Sequence, residues 1–331
     1  MGKQKDDRTL KYESLLIKAM TYGSPEELPV SVGVLPALWM KHTKEMTEIA
    51  KRYPRLFGEI GDDFDYRKSF PATYHMGNFT DEWGCVWSNI EEGMESIVTG
   101  HPVKSREDIR TLKIPENRDG RMPHGFMYLR ILDLRGFEEA MLDFADECDE
   151  LQMLIDKITA YNCIQTEIIV QNASPIIYFG DDLGMQKGLA IGPEKWRKYL
   201  KPSFTKIFGI ARRAGLYVYL HTDGMIYEII PDLFDAGAQM VNPQFRANGL
   251  DNLVRVCKGR YPINLDLDRQ LFPYITPSQC RDHIYECVEA LYLPAGGLGL
   301  SLELGPDVPL ENAEALIGAL DECGLYKGYT N

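Results

Sequence analysis

The sequence predicts an α/β fold, a closed (β/α)8 TIM barrel with an N-terminal helical extension and a long insertion between early strands. Three observations carry that expectation. The C-terminal half alternates short β-prone runs with amphipathic stretches at a regular beat. One run, Gly215-Leu-Tyr-Val-Tyr-Leu-His221, reads as a strand buried on both faces, as in a parallel sheet. Polar, ligand-type residues stand where nearly every such run ends, which is where barrels and open α/β sheets do chemistry.

The elements follow in order. Pro29 to Leu35 reads as a first strand, Ile60 to Asp65 as a second and His124 to Arg130 as a third. A polar and aromatic insertion, 66–122, lies between the last two. Ala173 to Gly180 is a strand ending in Asp181 and Asp182, and Gly192-Pro193 opens the helix that runs to Gly215. The strand ending at His221 precedes a short helix, Ile226 to Ala236, with Pro231 inside it. Ala238 to Gln244 is a strand and Leu250 to Lys258 a helix; Tyr261 to Asp268 is the next strand. Thr276-Pro277 starts a helix through Leu291, Gly297 to Glu303 is the last strand, and Leu310 to Leu320 the last helix. A strand followed by a helix, repeated with short connections, requires a parallel sheet and right-handed crossovers. No GxGxxG follows the first strand, so a dinucleotide-binding sheet lacks its fingerprint.

With 331 residues and 44% hydrophobic content the chain is long enough for one large barrel domain spanning 1–331. Residues 1–8 are polar and read as a disordered tail. They hold no apolar core of a secretory signal, and no run of about 18 apolar residues occurs, so a cytoplasmic protein is expected. The seven cysteines form no CxxC pair and read as reduced, buried thiols. A net charge of −13 argues against nucleic acid as partner, because a phosphate backbone needs a cationic face.

In a barrel the strand ends form one rim: Asp65, Arg130, Asp181, Asp182, His221, Asp223, Asn242, Gln244, Asp266, Asp268 and Glu303. Capping and turn chemistry explain some of these. His221, Asp223 and Glu303 can be read as three ligands of a divalent metal with an open fourth position. Equally, Asp223 can orient His221 as an acid/base, or the set can be a polar floor that hydrogen-bonds substrate. Tyr74 to Trp87 gathers four aromatic residues, a histidine and two acids. That segment reads either as a wall for an apolar ligand, with His75, Trp83 and Asp81 beside it, or as a satellite cluster under a loop. His42, His101 and His283 read as surface residues, and His124 receives no role.

Several segments together resemble the uroporphyrinogen decarboxylase superfamily over most of the chain. They are Asp81-Glu-Trp-Gly-Cys-Val-Trp87, Gly100-His-Pro-Val103, Asp108-Ile-Arg-Thr-Leu-Lys113, Gly180-Asp-Asp-Leu-Gly-Met-Gln186, His221-Thr-Asp-Gly224 with Asn242-Pro-Gln244, Gly296-Gly-Leu-Gly-Leu300 and Val308-Pro-Leu-Glu-Asn312. The resemblance implies a (β/α)8 barrel and one of two chemistries: porphyrinogen decarboxylation without a cofactor, or methyl transfer with a corrinoid, often assisted by zinc on a His-x-Cys pair and a later Cys. The arginine-rich N-terminal segment that grips porphyrin carboxylates is absent from the sequence. An acidic rim would also repel a polycarboxylate. Asp223 stands where the first zinc-binding cysteine would be, and Glu303 where the second would be.

An oxygen-rich ligand set suits activation of an ether oxygen better than activation of a thiol. The expectation is therefore a corrinoid-dependent methyltransferase of the O-demethylase type. It would take a methyl group from a small methylated substrate, an aryl methyl ether foremost, and pass it to cob(I)alamin on a separate corrinoid protein docking at the barrel mouth, with zinc as a further cofactor. His221, Asp223 and Asp81 are the expected catalytic residues. His75, Trp83, Tyr178, Asp181, Asp182, Asn242, Gln244, Asp266 and Asp268 are expected around the substrate. A small-acid decarboxylase or lyase, with Arg130 holding the carboxylate, is the alternative.

Overall fold

The computed structural model describes residues 6–61, 64–172 and 174–326, and these contain nine strands. They are β1 (Val30–Val34), β2 (Gly77–Thr80), β3 (Val86–Asn89), β4 (Ile97–Gly100), β5 (Ile176–Gly180), β6 (Tyr217–Thr222), β7 (Met240–Pro243), β8 (Ile263–Asp266) and β9 (Leu298–Leu304). Six of them, β1 and β5 to β9, are the parallel strands of an α/β fold. The chain divides into two compact units, one of Met1–Met76, Asn89–Ser96 and Gln244–Asn331, the other of Gly77–Ser88 and Ile97–Pro243.

In the first unit β9 pairs in parallel with β1 on one side and β8 on the other. β9 alternates buried Leu298, Leu300, Leu302 and Leu304 with half-exposed Ser301 and Glu303. Its helices start where the sequence marks them. Thr276 and Gln279 form a capping box at Pro277–Leu291, and Pro309 precedes Leu310–Gly324. Asp6 caps the helix Asp7–Met20 by accepting from Thr9 N at 2.7 Å. Asp6 to Arg8 thus open the helical extension rather than a tail; Met1 to Lys5 lie outside the described residues.

In the second unit β6 lies between β5 and β7, both pairings parallel. Ile177, Phe179, Val218 and Leu220 are buried, and Phe179 meets Phe208 of the helix Lys201–Arg213 at 4.9 Å between ring centroids. Phe126 and Phe204 complete that cluster. The insertion carries β2, β3 and β4, with β3 antiparallel to β4, so part of what reads as loop in the sequence is sheet.

Of the expected parallel strands, His124 to Arg130 is not one and the described residues of Ile60 to Asp65 form none; the described residues do not close an eight-stranded barrel. His124 to Arg130 passes through Gly125 at φ +75 into the helix Tyr128–Arg135. Its buried residues Tyr128, Ile131 and Leu134 recur every third position, a helical spacing. Of Ile60 to Asp65, Asp62 and Asp63 lie outside the described residues, and the others are irregular, with Asp65 capping the short turn Tyr66–Ser69. The helix expected from Ile226 covers only Ile230–Asp235, because Pro231 sits in its first turn rather than its interior. Among the described residues no helix is long and apolar enough to cross a membrane.

Candidate active site

Register builds the site in the second unit. Gly180 stands opposite His221 on β6, and His221 opposite Asn242 on β7. Because side chains alternate, Tyr178, Tyr219, His221 and Asn242 share the face turned away from the phenylalanine cluster. Tyr178 and Tyr219 pair at 5.1 Å between centroids, two residues before His221 on the same face, and Tyr178 is 44% exposed.

The turns beyond β5 and β6 interlock. Asp181 N–H donates to His221 O at 3.1 Å, and Gly184 N–H to Asp223 O at 3.1 Å. Thr222 Oγ1 accepts from Leu183 N at 3.1 Å. Gly224, at φ +81, approaches Gly184 so closely that a Cβ there would lie 2.1 Å from its carbonyl carbon. This packing fixes Asp182 and Asp223 side by side, with Asp223 N–H donating to Asp182 Oδ1 at 3.3 Å.

His221 Nδ1 lies 2.6 Å from Asn242 Oδ1. An amide oxygen only accepts, so Nδ1 carries the proton and Nε2 faces Asp223 Oδ1, 3.2 Å away. His124 enters from the segment before the helix Tyr128–Arg135, its Nε2 3.0 Å from Asp182 Oδ1 and its ring centroid 5.6 Å from that of His221. Gly180 leaves the space for it: a Cβ there would be 2.4 Å from His124 Nδ1. Burial pulls the His124 pKa down, but the hydrogen bond and charge of Asp182 outweigh it and raise the value. One ligand atom from each of His124, Asp182 and His221 lies within 4.8 Å of the others. His124 had no role in the sequence, where nothing in its local spacing ties it to residues 58 or 97 positions away; only the missing Cβ of Gly180 marks the contact.

The other expected residues fall into different settings. Asp181 is fully buried, and its carboxylate accepts from Tyr128 N at 2.6 Å and Leu129 N at 2.9 Å, capping the helix Tyr128–Arg135. Burial raises its pKa in spite of those two donors. Asp81 accepts four bonds: Trp83 N at 3.0 Å, Cys85 N at 2.8 Å, Trp87 Nε1 at 3.1 Å and Arg130 Nη1 at 2.6 Å. Arg130 is on a helix, buried and paired with Asp81, and does not end a strand. Trp83 is buried edge-on against Tyr161 at 5.2 Å.

Glu303, His75, Gln244, Asp266 and Asp268 belong to the first unit. There Glu303 is ion-paired with Arg269, and exposed His75 Nδ1 lies 2.7 Å from Glu92 Oε1. Gln244 bridges β-fashion to buried Asp266. Asp268 accepts from Arg246 Nε at 2.8 Å, and its N–H donates to His283 Nε2 at 3.2 Å. His283 is therefore not the surface residue its helical context suggests. It is buried against Phe245, and burial lowers its pKa. His101 is half-buried, with Nδ1 2.8 Å from Asp133 O.

Comparison with known proteins bears on this arrangement. The family description Uroporphyrinogen decarboxylase (URO-D) matches residues 133–323, more than half of the chain. The chain belongs to the uroporphyrinogen decarboxylase family. This URO-D member is also similar to a methyltransferase from Methanosarcina mazei, at 20% identity over 93% of this chain and 97% of that one, with a TM-score of 0.64. The likeness shows a shared fold. A Xanthomonas albilineans dihydropteroate synthase with 4-aminobenzoic acid matches at 15% identity over 44% of this chain and 52% of that one, with a TM-score of 0.30. No curated protein matches the chain. Within URO-D, the matched region contains Asp181, Asp182, His221, Asp223 and Asn242 and begins after His124.

Proposed function

We propose that this URO-D family protein is a methyltransferase that takes a methyl group from a small methylated substrate, an aryl methyl ether foremost, and passes it to cob(I)alamin on a separate corrinoid protein. The observation that carries the reading is His221, oriented by Asn242 and facing Asp223, where the family resemblance implies a zinc-thiolate pair. Oxygen and imidazole donors there favour a leaving oxygen over a thiol nucleophile. A reduced corrinoid would supply the electron pair for the new bond to the methyl carbon, and the bond between that carbon and the ether oxygen would break with both of its electrons left on oxygen.

The task of this chain is to meet the charge that develops on that oxygen. His221 and Asp223 supply a proton or hold a cation that performs the same stabilisation. The donor set of imidazole and carboxylate at His221 fits a zinc-class ion as a Lewis acid. Tyr178 and Tyr219 offer an aromatic surface on the same sheet face for the aryl ring, and Asn242 keeps the imidazole in one tautomer. Asp81 and Asp181 position loop and helix rather than touch the reacting atoms.

The test is a panel of aryl methyl ethers incubated with the purified protein, with and without free or protein-bound cob(I)alamin. Turnover is expected only with the reduced corrinoid, and His221→Ala is expected to lower it by about 10²–10⁴-fold. Decarboxylation or cleavage of a small acid with no corrinoid present would replace this reading by the lyase alternative.

A further inference from the structure

We propose that His124 Nε2, Asp182 Oδ1 and His221 Nε2, with Asp223 Oδ1 as fourth donor, bind one divalent metal ion of the zinc class. The expectation from sequence puts Glu303 in the ligand set; within the second unit the geometry points to His124 and Asp182. Three of these side chains bring one ligand atom each within 4.8 Å of one another. The His124–Asp182 and His221–Asp223 separations are 3.0 and 3.2 Å. Two donors on a tetrahedral zinc, each at about 2.0–2.1 Å, stand about 3.3 Å apart.

Two further features fit a metal. Asn242 occupies His221 Nδ1 and so turns the Nε2 lone pair toward the cluster, as the outer partner of a metal-binding histidine does. Gly180 gives up a side chain where His124 needs room. Two nitrogens and two oxygens make a borderline donor set, suited to zinc rather than to calcium or magnesium. The ion's part in leaving-group activation rests on the methyl transfer proposed above; its binding does not.

The experiment therefore uses no methyl donor and no corrinoid. Full-length protein, stripped with a chelator and dialysed, is titrated with zinc alone by calorimetry, and its metal content is measured after gel filtration. One zinc per chain is expected. His124→Gln and Asp182→Asn are each expected to weaken binding about 10–100-fold with circular dichroism unchanged, whereas Glu303→Gln retains it. Substitution with cobalt(II) in the unmutated protein should give the intense visible bands of a four-coordinate ion, a readout that holds even where a variant misfolds. Wild-type protein with no stoichiometric zinc and no such bands overturns the site. Folded His124→Gln with full affinity, or zinc lost from folded Glu303→Gln, overturns the ligand set. Zinc bound as described with no methyl transfer to any corrinoid would remove the functional reading and leave the metal site standing.

Discussion

A methyl group added at Gly180 would stand 2.4 Å from His124 Nδ1, a distance no pair of unbonded carbon and nitrogen atoms keeps. Gly180 does not need a positive φ, so the strand itself accepts alanine and the strain falls on the histidine. Gly180→Ala should therefore leave β5 in place, cost about 1–3 kcal/mol of stability, and push His124 away from Asp182. Zinc affinity reads the displacement, and an alanine variant that binds zinc as tightly as its parent would sink the argument. Asp133 makes a different residue-scale prediction. Burial raises its carboxyl pKa to about 6, with Arg130 working against the shift, Asp81 for it, and His101 and His124 against it. The unfolded chain releases that proton near 3.8. The native state thus holds a proton between about pH 4 and 6 that the unfolded state has lost, so this group's contribution to stability falls as pH rises through that window and is flat above it. Asp133→Asn is always neutral and should be more stable than its parent at pH 7.5, by up to about 3 kcal/mol. At pH 4 the two should differ little. Urea unfolding at both pH values checks the sign.

The helix Tyr128–Arg135 shows at the scale of an element why one carboxylate can matter more for architecture than for chemistry. Its first turn directs the N–H groups of Tyr128 and Leu129 at fully buried Asp181, which satisfies two donors that the helix itself cannot. Asp181→Ala should cost about 2–4 kcal/mol, the loss of a cap that leaves one buried and one half-buried donor orphaned, and Asp181→Asn clearly less because the amide oxygen still accepts. Equal losses from the two variants would show that the cap is not what Asp181 provides. The same helix explains a misreading of the sequence. Asp181 lies more than fifty positions downstream, so the cap is invisible locally, and Phe126-Met-Tyr-Leu is equally at home in a buried strand. By contrast, the start of Pro277–Leu291 was legible because its capping box lies within four consecutive residues. The end of β6 was legible for a related reason: strand propensity, the polar residues and the glycine are contiguous. Asn242 was expected near substrate because it too ends a strand, but its hold on His221 needed the register of β6 with β7. Elements whose signals are local could be read from the chain; partnerships set by tertiary packing could not.

At the scale of the whole chain the sequence led to the family and to the α/β alternation, and it overcounted the parallel strands among the described residues, at His124 to Arg130 because a buried helix uses the same apolar residues as a strand. Its reading of the cysteines extends across the molecule and can be tested in one measurement. All seven are free; Cys148 is half-exposed, and the other six are buried. Burial pushes Cys85, Cys257 and Cys323 up to about 12, Cys280 to about 11, and raises Cys163 and Cys287 too. Reaction with a disulfide reagent requires both thiolate and access. At pH 8 a thiol with a pKa near 12 holds about one part in 10⁴ as thiolate, roughly two-thousand-fold less than an ordinary cysteine. Such a group in a closed core reacts only when the chain opens. Native protein treated with Ellman's reagent should accordingly release close to one equivalent of chromophore quickly, from Cys148, with the rest appearing on the timescale of unfolding. In 6 M guanidinium chloride all seven should react at once, and Cys148→Ser should abolish the fast phase without changing the slow one. Three or more fast thiols in the native protein would mean that the packing around these helices and strands is looser than described. Fewer than seven in denaturant, without prior reduction, would mean that two of them are bonded to each other.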